Sequence, residues 1–326
     1  MIYRFFSRGG LLAYVAMVVV LVLLRLRLIL HPDFYVMGDV ALFHAPLWDA
    51  VFGHVAAASS ASTVLAIVST ALCALIVNNM ADRYGLAPQQ GAAAGLAFVI
   101  LSGGLRHSIA FQPAMVFALF LAWGLDRLFS AMRKDYPYAS VAWGFAIVAI
   151  GSLFWPKGVW FLPFLVVMLF VMRLSGMRCM AAALVGVVAV AFVAVTAGLF
   201  APDPAESGRA FLRAAFDTQA LWKIGAFSTT YIVAILGAVL LAVLSVQKHL
   251  SEMNIQESRR IRVAEWVFVF SVLLITLPGF SFELQCVAAV GASLFLPAFV
   301  SRLRSERART LYLAFLLGFT AWMIYV

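Results

Sequence analysis

The stretch FYVMGDVALFHAPLWDAVFGH, residues 34–54, sets two carboxylates and two imidazoles among aromatic residues: Asp39, His44, Asp49 and His54. Such groups can pass protons as general acids and bases, or ligate a metal. Their five-residue spacing argues against the second role. Five helical steps turn ~500°, so successive members drift by ~140° around a helix and share no face. A His-x-x-x-His metal site is therefore unsupported, and no metal or other cofactor is expected. Two readings stand. Gly38-Asp39 ahead of VALFH fits a helix N-cap, whose carboxylate accepts first-turn amides. Alternatively, at least one of the four residues is functional. Pro46 suits the first turn of a following helix, PLWDAVFGH.

A second group of residues suits anions. Arg25 and Arg27 lie in the last third of the first apolar stretch. A mid-membrane arginine costs ~2.5–3.5 kcal/mol on insertion scales. Near a span's end it either snorkels outward or faces a wet cavity and holds an anion. Arg106-His107, in SGGLRHSIAFQP, occupies a polar turn from which a guanidinium can fork onto a phosphate, or which is a plain interfacial turn. Lys157, between Trp155 and Trp160, reads as an aromatic-belt turn or a headgroup contact. Glu283 reads first as a helix N-terminal charge. No nucleotide loop, zincin helix, nucleophile elbow, kinase signature or CxxC is present. Cys73, Cys179 and Cys286 are odd in number and fall in apolar runs, which argues against a disulfide framework or metal cluster.

The elements that position these residues follow from composition. Of 326 residues 65% are hydrophobic and 11% charged, with a mean hydropathy of +1.03. A soluble domain has about half apolar and a quarter charged. The solvent of this chain is a bilayer, and backbone amides in lipid must be satisfied within their own segment, so the spans are helical. The runs are too long and unbroken for the alternating strands of a barrel. The N-terminal apolar run resembles a signal peptide but continues to Leu30 without a small-residue cleavage site, and is expected to be a retained helix.

A span needs ~20 apolar residues. The chain offers about eleven, near 10–30, 57–77, 91–105, 113–130, 139–154, 158–173, 179–200, 226–246, 264–280, 283–300 and 310–326, as a single integral membrane domain over 1–326. The third, fifth and sixth are short enough to be tilted, re-entrant or broken. Alternating sides place sixteen of the 23 Lys and Arg on one side and seven on the other. The positive-inside rule makes the first side, with the N-terminus, cytoplasmic, and the C-terminus external. The net charge of +9 is this excess facing anionic lipid, and no nucleic-acid partner is expected. Two long outer loops remain, about 31–60 and 201–225. In the second, Arg209, Arg213 and Asp217 oppose Phe211, Leu212, Ala215 and Phe216, as in a helix lying on the membrane surface, with Trp222 and Lys223 as anchors.

The succession ALIVNNMADRYGL, SGGLRHSIAFQPAMVFALFLAWGLDRLFSAMRK and AIVAIGSLFWPKGVWFLPFLVVMLFV resembles an uncharacterised family of polytopic membrane proteins from Bacteroidota. There an Asn-containing cytoplasmic turn leads through a short helix and an outer turn to a helix with a Leu- and Arg-rich tail, here Trp123-Gly124-Leu125-Asp126-Arg127-Leu128. A helix end follows, here Ser152-Leu153-Phe154-Trp155. More distantly, the layout is similar to the membrane half of GT-C glycosyltransferases that use polyprenyl-phosphate carriers. That resemblance implies an all-α bundle of about eleven spans with interfacial helices in both outer loops, in a bacterial inner membrane. It implies a carboxylate early in the first outer loop, Asp39 or Asp33, as base or metal ligand. It makes Arg25, Arg27, Arg106, His107 and Lys157 the residues around a lipid phosphate. The chain departs from the pattern in lacking an acidic doublet in that loop and an appended soluble domain.

Three functions stay open. One is transfer of a sugar from a polyprenyl-phosphate carrier to an acceptor on the outer face. A second is a non-catalytic subunit or scaffold of an envelope secretion or export complex, packing on partner helices through its small residues. A transporter is the third, and no ionisable residue is placed near mid-membrane to favour it.

Overall fold

The computed structural model describes residues 5–6, 10–30, 46–53, 55, 59–87, 91–104, 111–199, 204–216, 226–277, 283–303 and 305–325. The described residues are helical and contain no strand. In chain order the helices are α1 (Leu11–Leu24), α2 (Leu26–Leu30), α3 (Pro46–Phe52), α4 (Ser60–Tyr84), α5 (Ala93–Ser102), α6 (Pro113–Ala131) and α7 (Tyr138–Phe154). After a 3-10 turn (Pro156–Trp160) come α8 (Phe161–Val171), α9 (Met177–Leu199), α10 (Pro204–Phe216), α11 (Ala226–His249), α12 (Ile255–Thr276), α13 (Leu284–Arg302) and α14 (Glu306–Tyr325). Every apolar stretch expected to span contains a helix among its described residues. Among the described residues six helices are long and apolar enough to cross a membrane: α4, α6, α9, α11, α13 and α14. The chain is a multi-pass helical membrane protein.

Two elements differ from their expected form. The first stretch is not one helix, because α1 ends at Leu24 and α2 restarts at Leu26. Arg25 between them has φ −102° and ψ 5°. Its amide still bonds Leu21 O and Val22 O, so the last turn tightens rather than opens, and the guanidinium turns inward. The second stretch continues to Tyr84, past the expected end near 77, because Asn78, Met80, Ala81 and Tyr84 of its tail are buried against neighbours.

The centre of the bundle is α5, packed chiefly on α13 and α4. Ala94 through Ser102 are all buried. At ten residues α5 is ~15 Å long, half the hydrocarbon thickness of ~30 Å. Its end groups therefore need partners within the protein. Asn78 supplies them at the start. Its Oδ1 accepts the Gly95 amide at 3.2 Å, and its Nδ2 donates to Gly91 O and to Tyr14 OH. At the other end Gln285 Nε2 donates to Leu101 O at 2.6 Å.

Tyr84 organises the bundle end that holds the N-terminus of α5. Its hydroxyl lies 2.9 Å from both Asp126 O and Asp126 Oδ1. The guanidiniums of Arg260, Arg133 and Arg83 lie 4.9, 5.1 and 5.7 Å from its ring centre. This arginine end ties α4, α6 and α12 together through cation–π contact. Beside it α6 and α7 approach closely at two glycines. A Cβ on Gly124 would stand 2.5 Å from Val148 Cγ2 and 3.0 Å from Gly144 O. Small residues at such crossings let membrane helices pack backbone to backbone.

Gly124→Leu is expected to lower thermal stability in detergent, by ~1–3 kcal/mol as for overpacked cores. Gly237→Ala, with open space around its Cβ, is expected to match wild type. Equal stability of the two variants would contradict the close α6–α7 contact.

Candidate functional site

At the end opposite the arginines, four breaks between helices deliver polar side chains to one place. Arg25 comes from the α1–α2 break. Gln112 precedes α6, Trp155 and Lys157 follow α7, and Glu283 precedes α13, whose first turn holds Cys286. Two of these breaks are proline effects. Gln112 precedes Pro113 and Trp155 precedes Pro156, and a residue before proline is pushed out of the helical region. Gln112 has φ −145°, ψ 157° and Trp155 has φ −130°, ψ 96°. Both extended residues turn their side chains into the bundle. The centre is dry: Arg25 is 1% exposed, Lys157 2%, and Gln112 and Glu283 5% each.

The contacts form one connected set. Trp155 Nε1 donates to Glu283 Oε2 at 3.2 Å. Gln112 Nε2 lies 3.9 Å from Cys286 Sγ. Lys157 acts electrostatically on Glu283, and Arg25 on Cys286. Among the described residues the centre holds two cations and one carboxylate. A buried charge is tolerated when paired and hydrogen-bonded, so these positions are interdependent.

Helices from both long loops border the centre. Trp48 and Phe52 of α3 pack with Phe111, with ring centres 5.0 Å apart in each case, and Phe52 reaches Phe154 at 6.1 Å. Helix α10 rests on the 3-10 turn carrying Lys157: Trp160 Nε1 donates to Ala215 O at 3.2 Å. Glu206, Arg209 and Arg213 are exposed, as expected of the charged face, while of the expected apolar face Ala215 is buried and Phe211 half-buried. Leu212 and Phe216 stay exposed on its flank.

No family, curated protein or solved structure matches this chain. The site is therefore read from its own residues. Of the anion-binding candidates, two are buried at the start of α13, Arg25 acting on Cys286 and Lys157 on Glu283. Arg25 turns inward rather than snorkelling. Arg27 goes elsewhere: its guanidinium donates to Ile324 O at 2.8 Å and caps the last turn of α14. Asp39, Arg106 and His107 lie outside the described residues, as do Asp33, His44, His54, Asp217, Trp222 and Lys223. Asp49 is exposed on α3. Among the described residues no group of three or more His, Cys, Asp or Glu could hold a metal.

Sequence reasoning passed over several members. Glu283 stands at the N-terminus of α13 as expected, but its carboxylate bonds Trp155 rather than first-turn amides. Cys286 follows it at i+3, a spacing that places both on one helix face. Gln112 was marked only by the proline after it.

A double-mutant cycle tests the pairing of Lys157 with Glu283. Lys157→Met removes the cation that acts on the Glu283 carboxylate and is expected to destabilise the protein by ~1–3 kcal/mol. Adding Glu283→Gln removes the carboxylate charge and keeps an oxygen for Trp155, so the double variant is expected to be more stable than Lys157→Met alone. Additive losses in detergent unfolding would contradict the pairing.

Proposed function

We propose that the protein binds a polyprenyl-phosphate-linked sugar at the outer face of a bacterial inner membrane and transfers the sugar to an acceptor. The observation that carries this reading is the burial of two cations from distant parts of the chain, Arg25 acting on Cys286 and Lys157 on Glu283, both at the start of α13. Cations in a dry site stabilise a phosphate leaving group far more than they do in water. In this reading Arg106 and His107 join them from the segment between α5 and α6. Asp39 takes the proton of the acceptor hydroxyl as general base. The exposed Leu212 and Phe216 of α10 offer an apolar surface for the polyprenyl chain. This reading follows the GT-C resemblance of the sequence, with Arg27 left out of the phosphate role because it bonds Ile324 O.

One observation favours a non-catalytic membrane subunit instead. Arg25 and Lys157 are as buried as the apolar core around them, and Glu283 is already bonded by Trp155, as in a structural clamp.

Binding of undecaprenyl phosphate and of undecaprenol to the purified protein separates the two readings. The enzyme reading expects the phosphate to bind more tightly, and Lys157→Gln to reduce that preference ~10-fold or more, as for a lost charge-assisted bond. It further expects Asp39→Asn to abolish complementation of a deletion strain at unchanged abundance, a rate loss on the order of 10²–10⁴. If the phosphate has no preference over the alcohol and Asp39→Asn complements fully, the protein is the clamp-built subunit.

A further inference from the structure

The arginine end holds a second basic feature, separate from the centre above and independent of the proposed reaction. Two turns lie side by side there, one joining α6 to α7 and one joining α8 to α9. Between them opens a cleft of about 580 Å3. Lys134 lines it from the first turn, Arg173 from the second and Arg178 from the first turn of α9. Asp135 is the one acidic residue among its lining. Lys134 Nζ donates to Ser140 Oγ at 2.7 Å, which fixes the ammonium at the cleft wall. The Arg173 and Arg178 side chains are exposed and make no hydrogen bond or ion pair among the described residues.

The backbone at Arg173 adds a separate observation. Its φ is 57°, the one positive value at a non-glycine position among the described residues. Glycine or asparagine is the ordinary occupant of a left-handed turn position. Here a long cationic side chain stands in that place, where α8 closes through Leu174 N donating to Leu169 O at 2.8 Å.

The surroundings indicate what kind of anion fits. Helix α9 leaves the cleft with Met177 exposed at its rim, and Leu184, Val188, Phe192 and Val195 continue an exposed apolar face along the helix. A soluble phosphate compound has no use for that face, whereas acyl chains do. This end also carries the Lys and Arg excess, and basic clefts between spans on that side suit anionic headgroups. Guanidinium and ammonium groups grip phosphate oxygens by charge-assisted hydrogen bonds.

We infer that this cleft binds the phosphate headgroup of an anionic phospholipid through Lys134, Arg173 and Arg178, with the acyl chains lying along the exposed face of α9. The test uses the purified full-length chain in neutral detergent, titrated with phosphatidylglycerol, phosphatidylcholine or inorganic phosphate, with bound lipid counted by native mass spectrometry. Phosphatidylglycerol is expected to bind about tenfold more tightly than phosphatidylcholine, as charge-assisted contacts imply. Arg173→Asn with Arg178→Gln is expected to remove most of that preference, and asparagine keeps the left-handed turn. Arg178→Gln alone, at an exposed helical position, is expected to weaken it at least about threefold, and decides the matter if the double variant does not fold. Arg127→Gln with Arg259→Gln removes two charges from the same end outside the cleft, and is expected to leave the preference intact. The inference is overturned if the cleft variants bind as wild type, or if the control pair loses as much, since the attraction is then diffuse surface charge. It is also overturned if inorganic phosphate at equal concentration displaces the phospholipid, since the cleft then takes free phosphate.

Discussion

The architecture depends on one constraint: α5 is a ten-residue helix buried within a membrane bundle, and both of its ends must be satisfied by protein. A helix that spans the bilayer leaves its end groups in water. This one cannot reach. Asn78 and Gln285 take the place of water, one at each end. Each sits on a helix that packs against α5, so the hydrogen bonds fix the register of α4 and α13 about a common axis. Asn78 also reaches Tyr14, which adds α1 to the same network. The polar atoms here specify an arrangement that apolar packing alone leaves degenerate.

The two ends of the bundle follow from that arrangement. At the start of α5, the chain past Asn78 runs into Tyr84, whose hydroxyl and ring are held by Asp126 and three arginines. At the far end, Gln285 belongs to the same short stretch as Glu283 and Cys286. Anchoring Gln285 to Leu101 O therefore also sets where the carboxylate of Glu283 stands relative to Trp155 and Lys157. The centre is a consequence of helix ends made to coincide, with prolines at 113 and 156 ensuring that the chain stops being helical there.

Much of this was legible in the sequence, for reasons that also mark where legibility stops. Apolar runs and prolines located the helices, because lipid leaves the backbone few alternatives. The shortness of 91–105 was visible, and so was the amphipathic helix at 204–216. Hydropathy, however, carries no information on which way a side chain turns. Arg25 and Arg27 look equivalent in LLRLRLIL, yet one enters the centre and the other caps α14. Asn78 looked like part of a turn, because an asparagine ends an apolar run plausibly; its role requires α5 to be at its side. Gln112 and Glu283 acquire a shared environment only through pairings distant in the chain.

Hydrogen–deuterium exchange of the segment 91–104 in detergent or nanodiscs tests the central claim directly. If Asn78 and Gln285 hold α5, this segment is among the slowest to exchange despite its length. Asn78→Ala then speeds its exchange ~5–150-fold, the equivalent of ~1–3 kcal/mol for an orphaned buried group, while peptides from α14 are unaffected. Rapid exchange of 91–104 in the wild-type protein, or no change on Asn78→Ala, would contradict the account.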